Sequence, residues 1–263
     1  MATITPAAAH AALAPYVRGY VQIENHQAAT VRVAAQSDPT LLLTWNAPVR
    51  LVSMAGGDRP LPLVVLTGAS SRAHTSEVGA GACGFHVRFT PAGARALVGE
   101  RPPGDAWDDG LSAGLRRWAE AVAEAPGLAA RVALADAFWR ARMPEHPPWS
   151  AAAVALVRQS VGTARVSAVA EALGVAPRTL RRRFRDDAGV GIKAFMQVER
   201  YRQSHGLMLR APGTTWKDVC ERFGYADQSH FVRDFRRFTG DTPTRWRPEA
   251  HSFDLGFGLR DDR

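Results

Sequence analysis

Between residues 166 and 238 one layout occurs twice, and no other feature narrows the fold so far. In the first copy Val166–Leu173 reads as a short helix with Val169, Ala170 and Leu173 apolar. Gly174-Val175 then turns the chain, and Pro177–Arg185 begins a second helix with Leu180 and Phe184 facing inward. Pro177 suits a first helical position, where its missing N–H would have no partner anyway. In the second copy Trp216–Phe223 carries Val219 and Cys220 on its apolar side. Gly224-Tyr225 turns, and Asp227 caps a helix with Phe231, Phe235 and Phe238 inward. Short helix, glycine turn and a second helix with a polar N-terminal half is the helix-turn-helix pattern. Ile192–Leu209 reads as one helix between the copies, with Ile192, Phe195, Val198 and Leu209 among its apolar positions. At 1.5 Å per residue it spans about 27 Å. With a helix width added, the two second helices stand about one turn of DNA apart, roughly 34 Å.

The remainder of the 263 residues has a different period. Val17–Glu24, Val31–Gln36, Thr40–Trp45, Val49–Met54, Leu61–Thr67, Thr75–Val78 and Gly84–Phe89 are short β-prone runs. Asp38-Pro39, Asn46-Ala47-Pro48 and Gly56-Gly57-Asp58 punctuate them, as in a sandwich or barrel. From Pro91 the pattern turns helical: Leu111, Leu115, Trp118 and Val122 line one face, and Leu128, Val132, Ala135, Phe138 and Trp139 another. Glu145-His146-Pro147-Pro148 reads as a linker, because consecutive prolines end a helix. The expected class is α+β in two domains. Residues 1–145 form a β-barrel or sandwich with a helical pair. Residues 146–160 hold the linker and a first helix, 161–250 the all-α unit with two helix-turn-helix motifs, and 251–263 a tail.

Charge separates the same two parts. The chain carries 33 Lys+Arg against 25 Asp+Glu, a net of +8. Residues 1–150 hold 13 arginines against 12 acids, whereas residues 151–250 hold 18 basic residues against 10 acids. A basic field confined to one domain-sized stretch attracts polyanions, nucleic acid first among them; plain solubilising surface is the alternative. Only Lys193 and Lys217 are lysines; the rest are arginines, suited to bidentate contacts with phosphate or guanine. Cys83 and Cys220 lie too far apart for a disulfide framework or a paired metal site. No apolar run approaches the length of a membrane span, and residues 1–14 show no basic start before their alanines. A soluble cytoplasmic protein is the expectation.

Residues 166–247 resemble the DNA-binding domain of the arabinose-regulator (AraC/XylS) family of bacterial transcription factors. VAEALGVAPRTLRRRFRDDAG and DVCERFGYADQSHFVRDFRRFTGDTPTRWR carry the resemblance. Most specific are the Gly-Tyr turn, then Gln228-Ser229-His230-Phe231, Phe235-Arg236-Arg237, Gly240, Thr242-Pro243 and Arg247. Three positions depart from the family pattern: Ala176 for a Ser cap, Lys193 for a common Pro, and Gly206 inside the linking helix. The resemblance implies base contacts from Arg178, Thr179, Arg181 and Arg182 in the first copy. It implies them from Gln228, Ser229, His230 and Arg233 in the second, whose family role is often mainly backbone contact. Arg185, Arg236, Arg237 and Arg245 are phosphate partners or plain surface charge. The implied partners are double-stranded promoter DNA, RNA polymerase and a second copy of the chain in a homodimer, with no membrane.

Regulators of this family commonly join such a unit to a cupin-like sensor or dimerisation domain, and residues 1–145 fit that pattern. Gly84–Gly93 resembles a strand-to-helix signature of such sensor domains. A small-molecule effector would sit in the barrel mouth. Trp45, His74, His86 and Arg88 are its candidate lining, with ordinary strand residues as the alternative. His10, His26, His74 and His86 are scattered without a His-x-His pair, so neither a metal nor another cofactor is expected, and no catalytic residue is assigned. The leading function is a sequence-specific transcriptional regulator rather than an enzyme; activation and repression are both open. Three alternatives stand beside it. A cupin-type enzyme tethered to DNA lacks its ligand set. An alkylation-repair role lacks its cysteine cluster. A non-specific architectural binder would show affinity insensitive to sequence.

Overall fold

Alternation along two central strands organises the N-terminal half. On β4 (Thr40–Trp45) and β8 (Cys83–Phe89), Leu41, Leu43, Phe85, Val87 and Phe89 point to one face and are fully buried. Thr40, Leu42, Thr44, Gly84 and His86 point to the other. The computed structural model describes residues 2–52, 59–99, 104, 106–211 and 213–245. Within these, β1 (Ala2–Ala7), β2 (Val17–Asn25), β8, β4, β6 (Val64–Thr67) and β9 (Trp107–Asp108) form one antiparallel sheet in that order. A second sheet runs β3 (Ala29–Val33), β7 (His74–Val78), β5 (Val49–Val52). The first face of the large sheet packs under α2 (Ala113–Glu124) and α3 (Leu128–Arg140), with Trp118, Val122 and Trp139 in the shared core. Ser112 caps α2 by accepting from the Leu115 N–H. A short α1 (Gly93–Val98) follows β8.

The helical half begins at α4 (Ser150–Gln159), after an irregular stretch over the prolines. Then come α5 (Val166–Ala172), α6 (Pro177–Ala188), α7 (Ile192–Arg210), α8 (Trp216–Phe223) and α9 (Gln228–Thr239). Two cores divide it. Val157, Val169, Leu180, Phe184 and Phe195 close the first; Tyr201, Val219, Phe223, Phe231, Phe235 and Phe238 close the second. Both tight turns use left-handed glycines, Gly174 at φ 63° and Gly224 at φ 64°, where a Cβ would be strained. α8 opens with a reciprocal capping box between Thr215 and Asp218. α6 has no side-chain cap at Ala176. That omission costs about 1 kcal/mol, less than the roughly 1.5–3 kcal/mol from burying Phe184.

Several sequence expectations shift. β1 was not anticipated. β3 stops at Val33 rather than Gln36, because residues 34 and 35 leave the sheet for the helical core. The run from Leu61 becomes a strand only from Val64. Cys220 is half-buried, and that burial pushes its thiol pKa up. Met54, Arg247 and the tail 251–263 lie outside the described residues. No helix among the described residues is long and apolar enough to cross a membrane.

Candidate nucleic-acid interface and ligand cavity

Helix α6 buries Leu180, Phe184 and Ala188, four residues apart, and so turns the opposite face outward. Arg178, Arg181, Arg182 and Arg185 fall at i, i+3, i+4 and i+7 on that face, and all four are exposed. Among the described residues no carboxylate pairs with them, so their charge is available to an external anion. Thr179 is half-buried beside them. The neighbouring Arg183 lies over the Trp149 ring at 5.2 Å.

Helix α9 repeats the arrangement. Phe231, Phe235 and Phe238 go inward, while Gln228, Ser229, Arg233, Arg236 and Arg237 are exposed. Arg245 is exposed beyond the helix end. Asp227 accepts from the His230 N–H at 2.7 Å and caps the helix. His230, a candidate base reader in the sequence, is half-buried. Its ring packs edge-on to Tyr225 at 5.2 Å, with Nε2 3.4 Å from Arg200 Nη2 and Nδ1 accepting from the Ala226 N–H at 3.4 Å. Both ring nitrogens thus have partners inside the protein. Arg200 on α7 donates to Asp234 Oδ2 at 2.9 Å and lies over Tyr225 at 4.3 Å, which fastens α9 to the linking helix. Spacing along α7, about 28 Å for its length, separates the two exposed faces.

The second face of the large sheet and the three-stranded sheet enclose a cavity of about 70 Å³. Ile23, Val33, Leu42, Val49, Leu51 and Val78 give its wall an aliphatic part; Thr40, Thr44, Thr67, Ser70 and Ser76 add hydroxyls, and Asn25 and Gln36 add amides. His74 and His86, two of the four candidate lining residues, lie on it. Burial pushes the His86 pKa down to about 3, so its imidazole is neutral at ordinary pH. Trp45 and Arg88 do not line it. Trp45 shares the face of Leu43, packs toward the α2–α3 core and stacks under Arg131 at 5.0 Å. Arg88 points the same way as His86 but is held by Asp38, its Nη2 3.4 Å from Oδ2.

Asp38 escaped the sequence reading, where Asp38-Pro39 is only a turn signal. It lines the cavity, its side chain is 1% exposed, and Arg158 Nη2 donates to its Oδ1 at 2.6 Å. The guanidinium groups around it hold its carboxyl well below the usual range despite burial. Glu199 on α7 is also buried and depressed by Arg158 and Arg202. The one available signal was Glu199 itself, a charge four residues after inward Phe195 on the apolar face of a helix. Among the described residues no cluster of His, Cys, Asp or Glu is arranged to hold a metal.

Residues 169–249 match a family described as "Helix-turn-helix domain". The HTH-type transcriptional regulator VirS of Mycobacterium tuberculosis is 32% identical over 108 residues, 40% of this chain. The match covers 31% of VirS, so this chain spans less than a third of that relative's length. A solved structure of ToxT from Vibrio cholerae is 10% identical, covers 97% of this chain and 98% of its own, and superposes with a TM-score of 0.49. A DNA-binding transcriptional dual regulator from Escherichia coli K-12 is 18% identical over 43% of this chain and 96% of its own, with a TM-score of 0.34.

Proposed function

From the match of residues 169–249 to a helix-turn-helix domain, we propose that this chain is a sequence-specific transcriptional regulator of the arabinose-regulator type. The α6 and α9 helices enter successive major grooves on one side of the duplex. The observation that carries the reading is the exposed arginine stripe Arg178, Arg181, Arg182 and Arg185 on a helix whose other face is locked in the core. Arg181 and Arg182 read guanine O6 and N7; Gln228 and Arg233 read adenine and guanine from α9. Arg236, Arg237 and Arg245 anchor phosphates.

The N-terminal half is the cupin-like sensor of the pair. Its cavity suits a small, uncharged, mainly apolar effector, about the size of five water molecules. Among the described lining residues Asp38 is the one charged side chain, so an anionic effector would meet no cation there. Fluorescence anisotropy on the chain's own upstream DNA and on a scrambled duplex tests the regulator reading. A specific site binds about 10³-fold tighter than the scramble. Absence of binding at low salt overturns the reading.

A further inference from the structure

Residues 33–38 are one wall shared by two compartments. Val33, Gln36 and Asp38 line the cavity. Between them, Ala34 and Ala35 are buried in the second helical core with Tyr201, Phe235 and Phe238, and the Ala35 N–H donates to the Phe238 carbonyl at 2.7 Å. Ser37 Oγ accepts from Arg202 Nη1 at 2.6 Å.

Asp38 joins the two sides by charge. Arg18 and Arg88 approach it from the N-terminal half, at 3.8 and 3.4 Å. Arg158 and Arg202 approach from the helical half, at 2.6 and 3.6 Å. Glu199 completes the cluster, 3.2 Å from Arg158 and 3.7 Å from Arg202. Four guanidinium groups therefore share two buried carboxylates. Other links between the halves avoid the cavity: Arg32 donates to the Gly240 carbonyl at 3.0 Å, and Arg95 to the Asp186 carbonyl at 2.6 Å.

We infer that Asp38 is the coupling residue through which occupancy of the cavity reaches the DNA-binding half. The inference rests on reading the cavity as an effector site. Ion-pair energy in a buried cluster varies steeply with separation. An occupant pressing on the wall at Val33 and Gln36 shifts the Asp38 carboxylate against Arg158 and Arg202. Arg202 sits on α7, the helix that joins the two helical hairpins, so that shift changes how α6 and α9 stand relative to each other. An occupant acts only through its different interaction with the two arrangements, and this carboxylate makes the arrangements differ.

The test uses the full chain and no natural ligand. Ser76→Leu on β7 and Thr44→Leu on β4 each put an apolar side chain into the cavity from outside the segment 33–38. Amide hydrogen exchange along α7 is read for each filler, with Asp38 and with Asp38→Asn. The expected result is a change of about tenfold in α7 protection on filling, lost when Asp38 is replaced, the size of a direct coupling between neighbours. Arg32→Ala weakens the same interface away from the cavity and leaves the response intact. Where Asp38→Asn fails to fold, Arg202→Gln breaks the link from its other side. An equal response with and without Asp38 overturns the inference, and so does no response in either background. An effector is sought separately by thermal shift of the wild-type chain with small neutral and carboxylate compounds, so failure of the sensor reading is recognised independently.

Discussion

Replacing His86 by Met should flatten the acid side of the stability profile. His86 is 4% exposed on the cavity face of β8, and burial pushes its pKa from 6.5 down to about 3. The sign follows from proton counting. In the unfolded chain the ring gains a proton near pH 6.5, whereas in the folded protein it stays neutral until about pH 3. The unfolded state therefore binds more protons throughout that window, and stability falls as the pH drops through it. The loss amounts to about 1.4 kcal/mol per pH unit, or roughly 2.7 kcal/mol at pH 4.5 relative to pH 8. Against a typical domain stability of about 5–15 kcal/mol that is a large fraction. Urea denaturation of wild type and His86→Met at intervals from pH 8 to pH 4.5 reads it directly. Methionine fills an irregular apolar wall and does not titrate, so the difference between the curves isolates the imidazole. Parallel curves would refute the burial argument.

Two further outcomes follow from the helical half. Ala176→Ser supplies the missing cap of α6, whose N-cap backbone is already extended (φ −67°, ψ 145°), and should raise stability by about 1 kcal/mol in chemical denaturation; no gain would mean that its N–H groups have other partners. Arg236→Ala should weaken binding to specific and scrambled duplexes alike and reduce the slope of log affinity against log salt by about 0.9. A loss confined to the specific duplex would make Arg236 a base reader.

Helical periodicity made the C-terminal half legible. Phenylalanines at 231, 235 and 238 leave no ambiguity about which face is buried, and the reading of α8 as Trp216–Phe223 coincides with the helix. The arginine stripe of α6 follows from the same arithmetic, since Leu180 and Phe184 determine which side faces out. Strand β1 was illegible: Ala2–Ala7 lacks a repeated bulky apolar residue, and its order comes from pairing with β2, Ala2 against Asn25 through Ala7 against Tyr20. Alternation also explains which candidate lining residues reach the cavity. His86 and Thr44 share a face, and the neighbouring position Trp45 belongs to the other. Asp38 stayed hidden for a different reason. Its best partner, Arg158, is 120 residues away in sequence, and local pattern carries no trace of such a contact.

Selection from a pool of randomised duplexes tests the central claim most directly. The regulator reading predicts an enriched site with two half-sites about one helical turn apart. Arg182→Ala should relax the choice at one base pair of the α6 half-site, by about 1–3 kcal/mol of discrimination. Binding that enriches no sequence from the pool would contradict it, and would leave the basic face of α6 and α9 as a phosphate-tracking surface alone.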